Sequence, residues 1–555
     1  MTKPAVYRNA GDLLPPPIAR FVDVAESCKP ELISTPEKPI GLIEAEKDEE
    51  ALLGWKAVSK GSVEDMEVLK TGDSVIIDFG GHRTGYFSFD LQSYKFATHP
   101  ADAPCRLRLV FGEILSDVAE EFEPYKSWMC KSWLPDEIIT VDWLPQPVKI
   151  ARRHAFRYVR IEVVAVSMHY GVRIENPIAH AVTSCTASVP PLSFASAGSE
   201  ISDDDKTVLR RIDEVALRTL RNCMQTVYED GPRRDMRLWI GDLRLQALAN
   251  YKTFQDTLLA KRCLYLFAGT PFHEDGRLAA TVYEHPQVTS GGQSIVDFTL
   301  IYAAALLDYV EFSGDKETGK DLFSVALRQA EIAVGRTNSE WVYHVENIGG
   351  MTDFGAWHFV DWEPTLDKVT SIHCIIIFSL KSLLSLSKLL GLPVPTIATP
   401  SSSSVPITEI IEKMTASALA MMYDPSLGLF VSGPKKQISW ASNAWAVMAG
   451  VVPSQELAAD ALRKTYQHPN TVIAMTPYLH HYLVEAFVKA GLKDLAVKHI
   501  KDYWGSMVTA GAETFWEAWN PKLPTVSPYQ DFHINSFCHA WSCTPALLLR
   551  QLGFA

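Results

Sequence analysis

The chain has 555 residues, 47% of them hydrophobic and 21% charged, with 52 basic residues against 65 acidic and a net charge of −13. With a mean hydropathy of +0.01, this balance excludes a disordered, collagenous or low-complexity polymer and provides ample core. The acidic excess removes any general attraction to phosphate backbones or anionic bilayers, so neither nucleic acid nor membrane is an expected partner.

At the N-terminus, Met1 to Arg8 lacks the apolar segment of a secretory signal. The most apolar run, Ile375 to Phe378, meets Ser379 and Lys381 too soon to span a bilayer. The nine cysteines are an odd number, scattered and without a Cys-x-x-Cys pair. They read as reduced thiols of a cytoplasmic protein rather than a disulfide framework or a zinc site. Residues 1–70, with Pro15-Pro16-Pro17 and the acidic run Glu44 to Glu50, read as an N-terminal arm adjoining the domain that follows.

From residue 71 the pattern is β. Ser74 to Gly81, Tyr86 to Leu91, Arg106 to Phe111 and Tyr158 to Val164 are short apolar or alternating runs separated by Gly, Pro and polar turns. Such runs predict an antiparallel β-sandwich over residues 71–195. At Ser199 to Asp205 the chain turns acidic and polar, as a helix start does. Val208, Ile212, Val215, Ala216 and Leu220 then repeat at helical spacing. Further helical stretches are Leu300 to Val310, Phe323 to Val334, Ile372 to Leu389, Ile407 to Met422, Ala459 to Tyr466, Tyr478 to Ala490 and Pro545 to Leu552, with Ser401 to Ser404 as an exposed loop. Ten or so amphipathic helices fit one helical domain over residues 196–555, a closed ring of hairpins with a loop-lined mouth.

Chemistry concentrates in two segments. In Tyr228 to Asp242, Pro232 suits a first helical position, and a helix from there sets Asp235, Trp239 and Asp242 on one face at i, i+4 and i+7, with Asp230 in the loop before it. An isolated aspartate in such a helix more often serves the dipole or pairs with Arg233, Arg234 or Arg237. The combination with an indole suggests carboxylates for proton transfer beside an apolar wall for a sugar ring. In Gly511 to Pro521, Glu517 lies between Trp516 and Trp519, where desolvation can tune a base. His539 follows in His533 to Ser542, and alone proves little.

The string Asp230-Gly231-Pro232-Arg233-Arg234-Asp235 with Trp239-Ile240-Gly241-Asp242, followed by Gly511-Ala512-Glu513-Thr514-Phe515-Trp516-Glu517 and His539-Ala540-Trp541-Ser542, resembles glycoside hydrolase family 78, the α-L-rhamnosidases. Asp78-Phe79-Gly80, His154 to Val159, Phe359 to Trp362 and Thr476 to Tyr482 resemble further elements of that family. The resemblance implies an (α/α)6 barrel behind the sandwich and inverting hydrolysis of terminal α-L-rhamnose from small rhamnosides or oligosaccharides, without cofactor or metal. It implies Asp235 as general acid and Glu517 as general base. Asp230, Asp242, Trp239, Trp362, His539 and, more weakly, Asp297 would contact the sugar, and Arg234 would orient the acids.

Members often carry Glu as the acid in a string Arg-Asp-Glu-Arg-Leu-Gly-Trp. Here a gap at the absent glycine puts the acid position on Met236, whereas counting back from Trp239 and Asp242 puts it on Asp235, the choice that a helical register favours. The tail after Arg550 leaves no length for the C-terminal β-sandwich of many relatives. Two other readings compete: a helical-barrel enzyme acting on another sugar or by elimination, and a sugar-binding protein that has lost its chemistry. Oligomeric state, aglycone and linkage are not legible.

Overall fold

The computed structural model describes residues 14–95, 101–195, 201–343, 356–399 and 402–554. The first part is a nine-stranded antiparallel sheet: β1 (Ile33–Glu37), β2 (Gly41–Lys47), β3 (Trp55–Gly61), β4 (Ser74–Lys95), β5 (Cys105–Gly112), β6 (Asp136–Val141), β7 (Gln146–Lys149), β8 (His154–Ala165) and β9 (Tyr170–Thr183). Its main path runs β1-β9-β4-β8-β5-β6, with β2 and β7 also paired to β4 and β3 to β2. The turn expected after Gly81 is instead a bend within one 22-residue strand, β4. Pairing of β4 with β8 breaks between Asp78 and Arg83, where Gly80 takes a φ of +77° that glycine adopts without Cβ strain. The first half of the bent strand pairs with β2 and β8 and the second half with β7 and β9, around a core in which Phe79, Phe87, Phe111 and Phe156 pack largely edge to face.

Residues of the expected arm belong to this architecture. Glu44 and Glu46 lie on the exposed face of β2, alternating with more buried neighbours, so a run of charge concealed a strand. Pro15 to Pro17 lead into helix α1 (Ala19–Ser27), which packs on the helical part: Phe21 meets Tyr265 at 5.8 Å, and Arg262 donates to the Ala25 carbonyl at 2.7 Å. A short helix, α2 (Leu115–Ala119), follows β5.

The remainder is a double ring of helices. The outer members are α3 (Asp203–Cys223), α5 (Thr257–Gly269), α7 (Lys316–Val334), α9 (Ile407–Met421), α11 (Gln455–Gln467) and α13 (Lys493–Thr509). The inner members are α4 (Ile240–Lys252), α6 (Val296–Ser313), α8 (Val369–Leu390), α10 (Trp440–Met448), α12 (Pro477–Lys489) and α14 (Pro545–Gln551). Each inner helix touches the next from α4 to α12, and the turn Ala540–Ser542 with α14 closes the ring onto α4. The two rings differ in sequence for a physical reason. An outer helix such as α3 buries one stripe and starts on a capping Ser202, whereas all nine residues of α10 are buried. Periodicity therefore reveals α3 and hides α10, and α5 and α13 also went unread. Val369–Leu390 is long and apolar enough by composition to cross a bilayer, contrary to the sequence expectation; here it is an inner helix, with 72% of its most apolar window buried. Ser402 lies in a strand, Ser402–Pro406, that pairs with Thr396–Thr399, rather than in a loop; Ser401, like Met1 to Arg8 and Ser199-Glu200, lies outside the described residues.

Sheet and barrel share a buried ionic contact. Arg233, 4% exposed, donates from both terminal nitrogens to Asp117 of α2, at 2.8 and 3.2 Å, and to the His533 carbonyl at 2.5 Å. Glu113 accepts the Phe537 N–H at 2.7 Å and meets His82 at 2.9 Å. Breaking a buried pair leaves an uncompensated charge, so Asp117→Ala should lower the unfolding free energy by about 3–5 kcal/mol. Urea titration checks this as a shifted midpoint; a loss below about 1 kcal/mol would mean that Glu113, 3.7 Å away, and the His533 carbonyl suffice to satisfy Arg233.

Candidate active site

The inner helices α4, α6, α8 and α12 begin at one end of the barrel, and a cavity of about 680 Å3 opens there. It is bounded by the N-terminal residues of α4 and α6, the loops leading into α4, α6 and α8, the segment after α13, and a loop of the β domain. Helix N-termini carry partial positive charge, which favours carboxylates at this end.

The expected helix from Pro232 does not form. Helix α4 starts only at Ile240, with Trp239 as its N-cap residue, and Leu238–Trp239 is a short strand pairing with Thr281–Tyr283. The segment before it winds round the Asp230 carboxylate, whose oxygens accept the N–H groups of Asp235 at 3.0 Å and Arg237 at 3.2 Å. Gly231 is required there because a Cβ would meet the Arg234 carbonyl and the Ser536 hydroxyl, each at 2.5 Å. The register argument for Asp235 thus falls with the helix, yet Asp235 lines the cavity and the neighbouring Met236 does not. Asp242 sits in the first turn of α4, also lining the cavity.

Glu517 arrives from the opposite side, in the irregular segment after α13. Its Oε2 accepts from Arg234 Nη2 at 2.6 Å and from the Ser536 N–H at 3.1 Å, while Oε1 accepts from the Tyr529 hydroxyl. The other end of the same guanidinium, Arg234 Nη1, lies 3.3 Å from Asp235 Oδ1. One buried arginine therefore connects two acids 282 positions apart in sequence. His539 Nε2 approaches Asp242 Oδ1 at 3.4 Å. By contrast Glu513, in the same string as Glu517, is ion-paired with Arg211 and Arg218 away from the cavity.

Asp297 is a correction to the expected sugar site. It is fully buried, does not line the cavity, and holds the loop before α8 by accepting the N–H groups of Phe359 and Val360, both at 2.8 Å. That loop presents Trp357, Phe359 and Trp362 to the cavity, where Trp239 and Trp541 complete an aromatic wall. Trp239 and Trp362, which the sequence reading assigned to a sugar wall, both line this cavity. Trp541 was legible in the His-x-Trp-Ser element, whereas Tyr529, in a polar loop, and Trp128, on the β domain, carried no local signal.

The cavity holds unsatisfied polarity. Among the described residues, Trp239 Nε1, Trp362 Nε1 and His539 Nδ1 are buried without a hydrogen-bond partner, and Asp242 Oδ1 and His539 Nε2 have only each other, at 3.4 Å. Buried polar groups are nearly always paired, so this concentration marks a place built for a polar ligand. The acids there also differ electrostatically. Burial, with the nearby Asp235 charge, pushes Asp230 up to about 8, and burial likewise raises Asp242. Burial opposes the Glu517 charge too, but Arg234, His539 and the Tyr529 hydroxyl hold that carboxyl below its ordinary range. Burial disfavours the His539 cation, yet Glu517 and Asp242 raise it above its usual value.

The model of the glycosyl hydrolase family 78 alpha-rhamnosidase N-terminal domain matches residues 39–181, and that of the bacterial alpha-L-rhamnosidase 6 hairpin glycosidase domain matches residues 198–551. A rhamnosidase from Klebsiella oxytoca, solved with rhamnose bound, is 38% identical over 97% of this chain and 99% of its own, with a TM-score of 0.87. The family 78 rhamnosidase of Bacillus sp. GL1 (19% identity, TM-score 0.69) is matched over 91% of this chain and 50% of its own length. The α-L-rhamnosidase of Streptomyces avermitilis complexed with L-rhamnose (13%, 0.61) is matched over 90% and 46%. These two share the fold. Among curated protein sequences none matched. The chain belongs to glycoside hydrolase family 78, the α-L-rhamnosidases.

Proposed function

We propose that this protein hydrolyses terminal α-L-rhamnosides with inversion, Asp235 acting as general acid and Glu517 as general base. The observation that carries the reading is the shared Arg234, which draws one carboxylate from each side of an aromatic cavity to the same guanidinium. Because both acids meet one planar group at 3.3 and 2.6 Å, their nearest oxygens stand no more than about 8 Å apart. That ceiling admits the ~6.5–9.5 Å of inverting pairs as well as the ~5–5.5 Å of retaining ones, so the anomer released decides between them. The interposed arginine, with Ser536 and Tyr529, engages both oxygens of Glu517, which favours an ionised base over a free nucleophile.

In the step proposed, Asp235 gives its proton to the glycosidic oxygen as the C1–O bond breaks. Glu517 takes a proton from water as the water oxygen bonds C1 from the opposite face. The aglycone leaves as an alcohol, and solvent exchange returns the proton from Glu517 to Asp235. Trp239, Trp362 and Trp541 wall the sugar ring, while Asp242 and His539 meet its hydroxyls.

Each of Asp235→Asn and Glu517→Gln should lower kcat by about 10²–10⁴-fold. The two should differ by leaving group. A nitrophenolate departs with little protonation, so Asp235→Asn should be milder on a nitrophenyl rhamnoside than on an alkyl one, whereas Glu517→Gln should harm both alike. Proton NMR during early turnover should show β-rhamnose first; the α anomer would exclude inversion. A wild type that binds L-rhamnose and cleaves nothing would instead favour the binding-protein reading.

The pH profile of kcat/KM follows from the directions of shift. Glu517 is held below the ordinary carboxylate range, so the acid limb should lie below about 4.5. Asp230, pushed up to about 8 by burial and the nearby Asp235 charge, keeps its proton at neutral pH. The alkaline limb should therefore fall through about 8, as Asp230 ionises beside the site. Stopped assays across pH check this; replacing Asp230 by Asn should move the alkaline limb and leave the acid limb in place.

A further inference from the structure

A volume of about 680 Å3 falls within the ~300–1,000 Å3 of sites for drug-sized ligands, more than one deoxyhexose fills. One group of polar residues in its lining is tied together around Arg234 and Asp235 and around Asp242 and His539. Another part of the lining comes from Trp128 and Met129, in the loop between α2 and β6, and from Tyr283 and Arg237.

Trp128 is 61% exposed, an unusual position for an indole. It is fixed against the barrel, with Nε1 donating to the Pro528 carbonyl at 3.4 Å and its ring 5.7 Å from that of Tyr529. Tyr529 is the donor to Glu517, so this indole adjoins the reacting carboxyls rather than a remote surface. Arg237 lies over the Tyr283 ring at 4.2 Å and near Trp133 at 5.6 Å, stacked on both aromatic faces. Met129 adds a pliable apolar contact.

We infer that Trp128 and Met129 form the aglycone side of the site and select a planar, apolar aryl group over a second sugar. The inference rests on the rhamnoside reading above. A sugar seated against Trp128 and Met129 would strip water from its hydroxyls and find no free donor there, since the Trp128 N–H is already given to the Pro528 carbonyl, and that costs affinity. A flat aromatic ring loses little hydration and gains stacking area on the indole and on the Arg237–Tyr283 pair. The β domain thereby supplies specificity as well as support.

The test compares wild type, Trp128→Ala and Trp128→Phe on a bicyclic aryl α-L-rhamnoside and on an α-L-rhamnosyl-glucose, with inhibition by free L-rhamnose measured for each. Trp128→Ala should lower kcat/KM for the aryl substrate about tenfold, chiefly through KM, and change the disaccharide by less than about twofold. Rhamnose inhibition should stay unchanged, and Trp128→Phe should regain most of the loss. Equal falls on both substrates, or no fall on the aryl one, would overturn the inference while the rhamnoside reading stands. A wild type that cleaves neither substrate would overturn both.

Discussion

The site depends on one buried guanidinium. Arg234 is 3% exposed and is held from behind by its Nε donating to the Ile534 carbonyl at 2.8 Å. Burying such a cation is costly unless carboxylates compensate it, and here the compensating groups are Glu517 and Asp235. The Tyr529 ring, 4.3 Å from the guanidinium carbon, covers one face of it. An arginine suits this position because its planar fork donates in two directions at fixed separation; a lysine would offer one point of charge.

This constraint explains why the β domain cannot be a detachable module. Arg233, the residue before Arg234, is anchored to Asp117, and Glu113 holds the Phe537 N–H. Both strands of chain that carry the acids are thus tied to α2, which no sequence motif connects to the chemistry. Cross-domain packing of Phe122 and Leu134 with Tyr529 and Ile534 adds an apolar seal beside those ionic contacts. The same loop region then extends Trp128 and Met129 to the cavity.

How much of this was legible follows from the kind of signal each feature leaves. An outer helix such as α3 announces itself because it faces water on one side and core on the other, and β5 and β8 alternate plainly. Inner helices such as α10 have no polar side, so no period appears, and β2 was concealed by its own surface glutamates. At the site, the acid strings and Trp239 were readable as residue types, but their geometry was not. Asp235 and Trp239 were placed on a helix that the chain does not make, since the Asp230 carboxylate satisfies the N–H groups a first turn would otherwise leave open. Tyr529 and Trp128 reach the cavity through tertiary contacts alone, with nothing nearby in sequence to distinguish them from other aromatics.

The acids themselves show why composition identifies a site without assigning its parts. Asp297, Asp361 and Asp230 each accept backbone N–H groups on both oxygens, and each thereby fixes a loop at the mouth. A carboxylate used in this way stabilises a conformation that strands of irregular backbone could not hold alone. Asp242, whose Oδ1 has His539 Nε2 at 3.4 Å, and Asp235, whose carboxylate meets the Arg234 guanidinium, fix no loop in this way and line the cavity. Sequence shows five aspartates of equal chemical standing. What separates an aspartate that fixes a loop from one that lines the cavity is where its lone pairs go, and that is decided by loops folding back from distant parts of the chain.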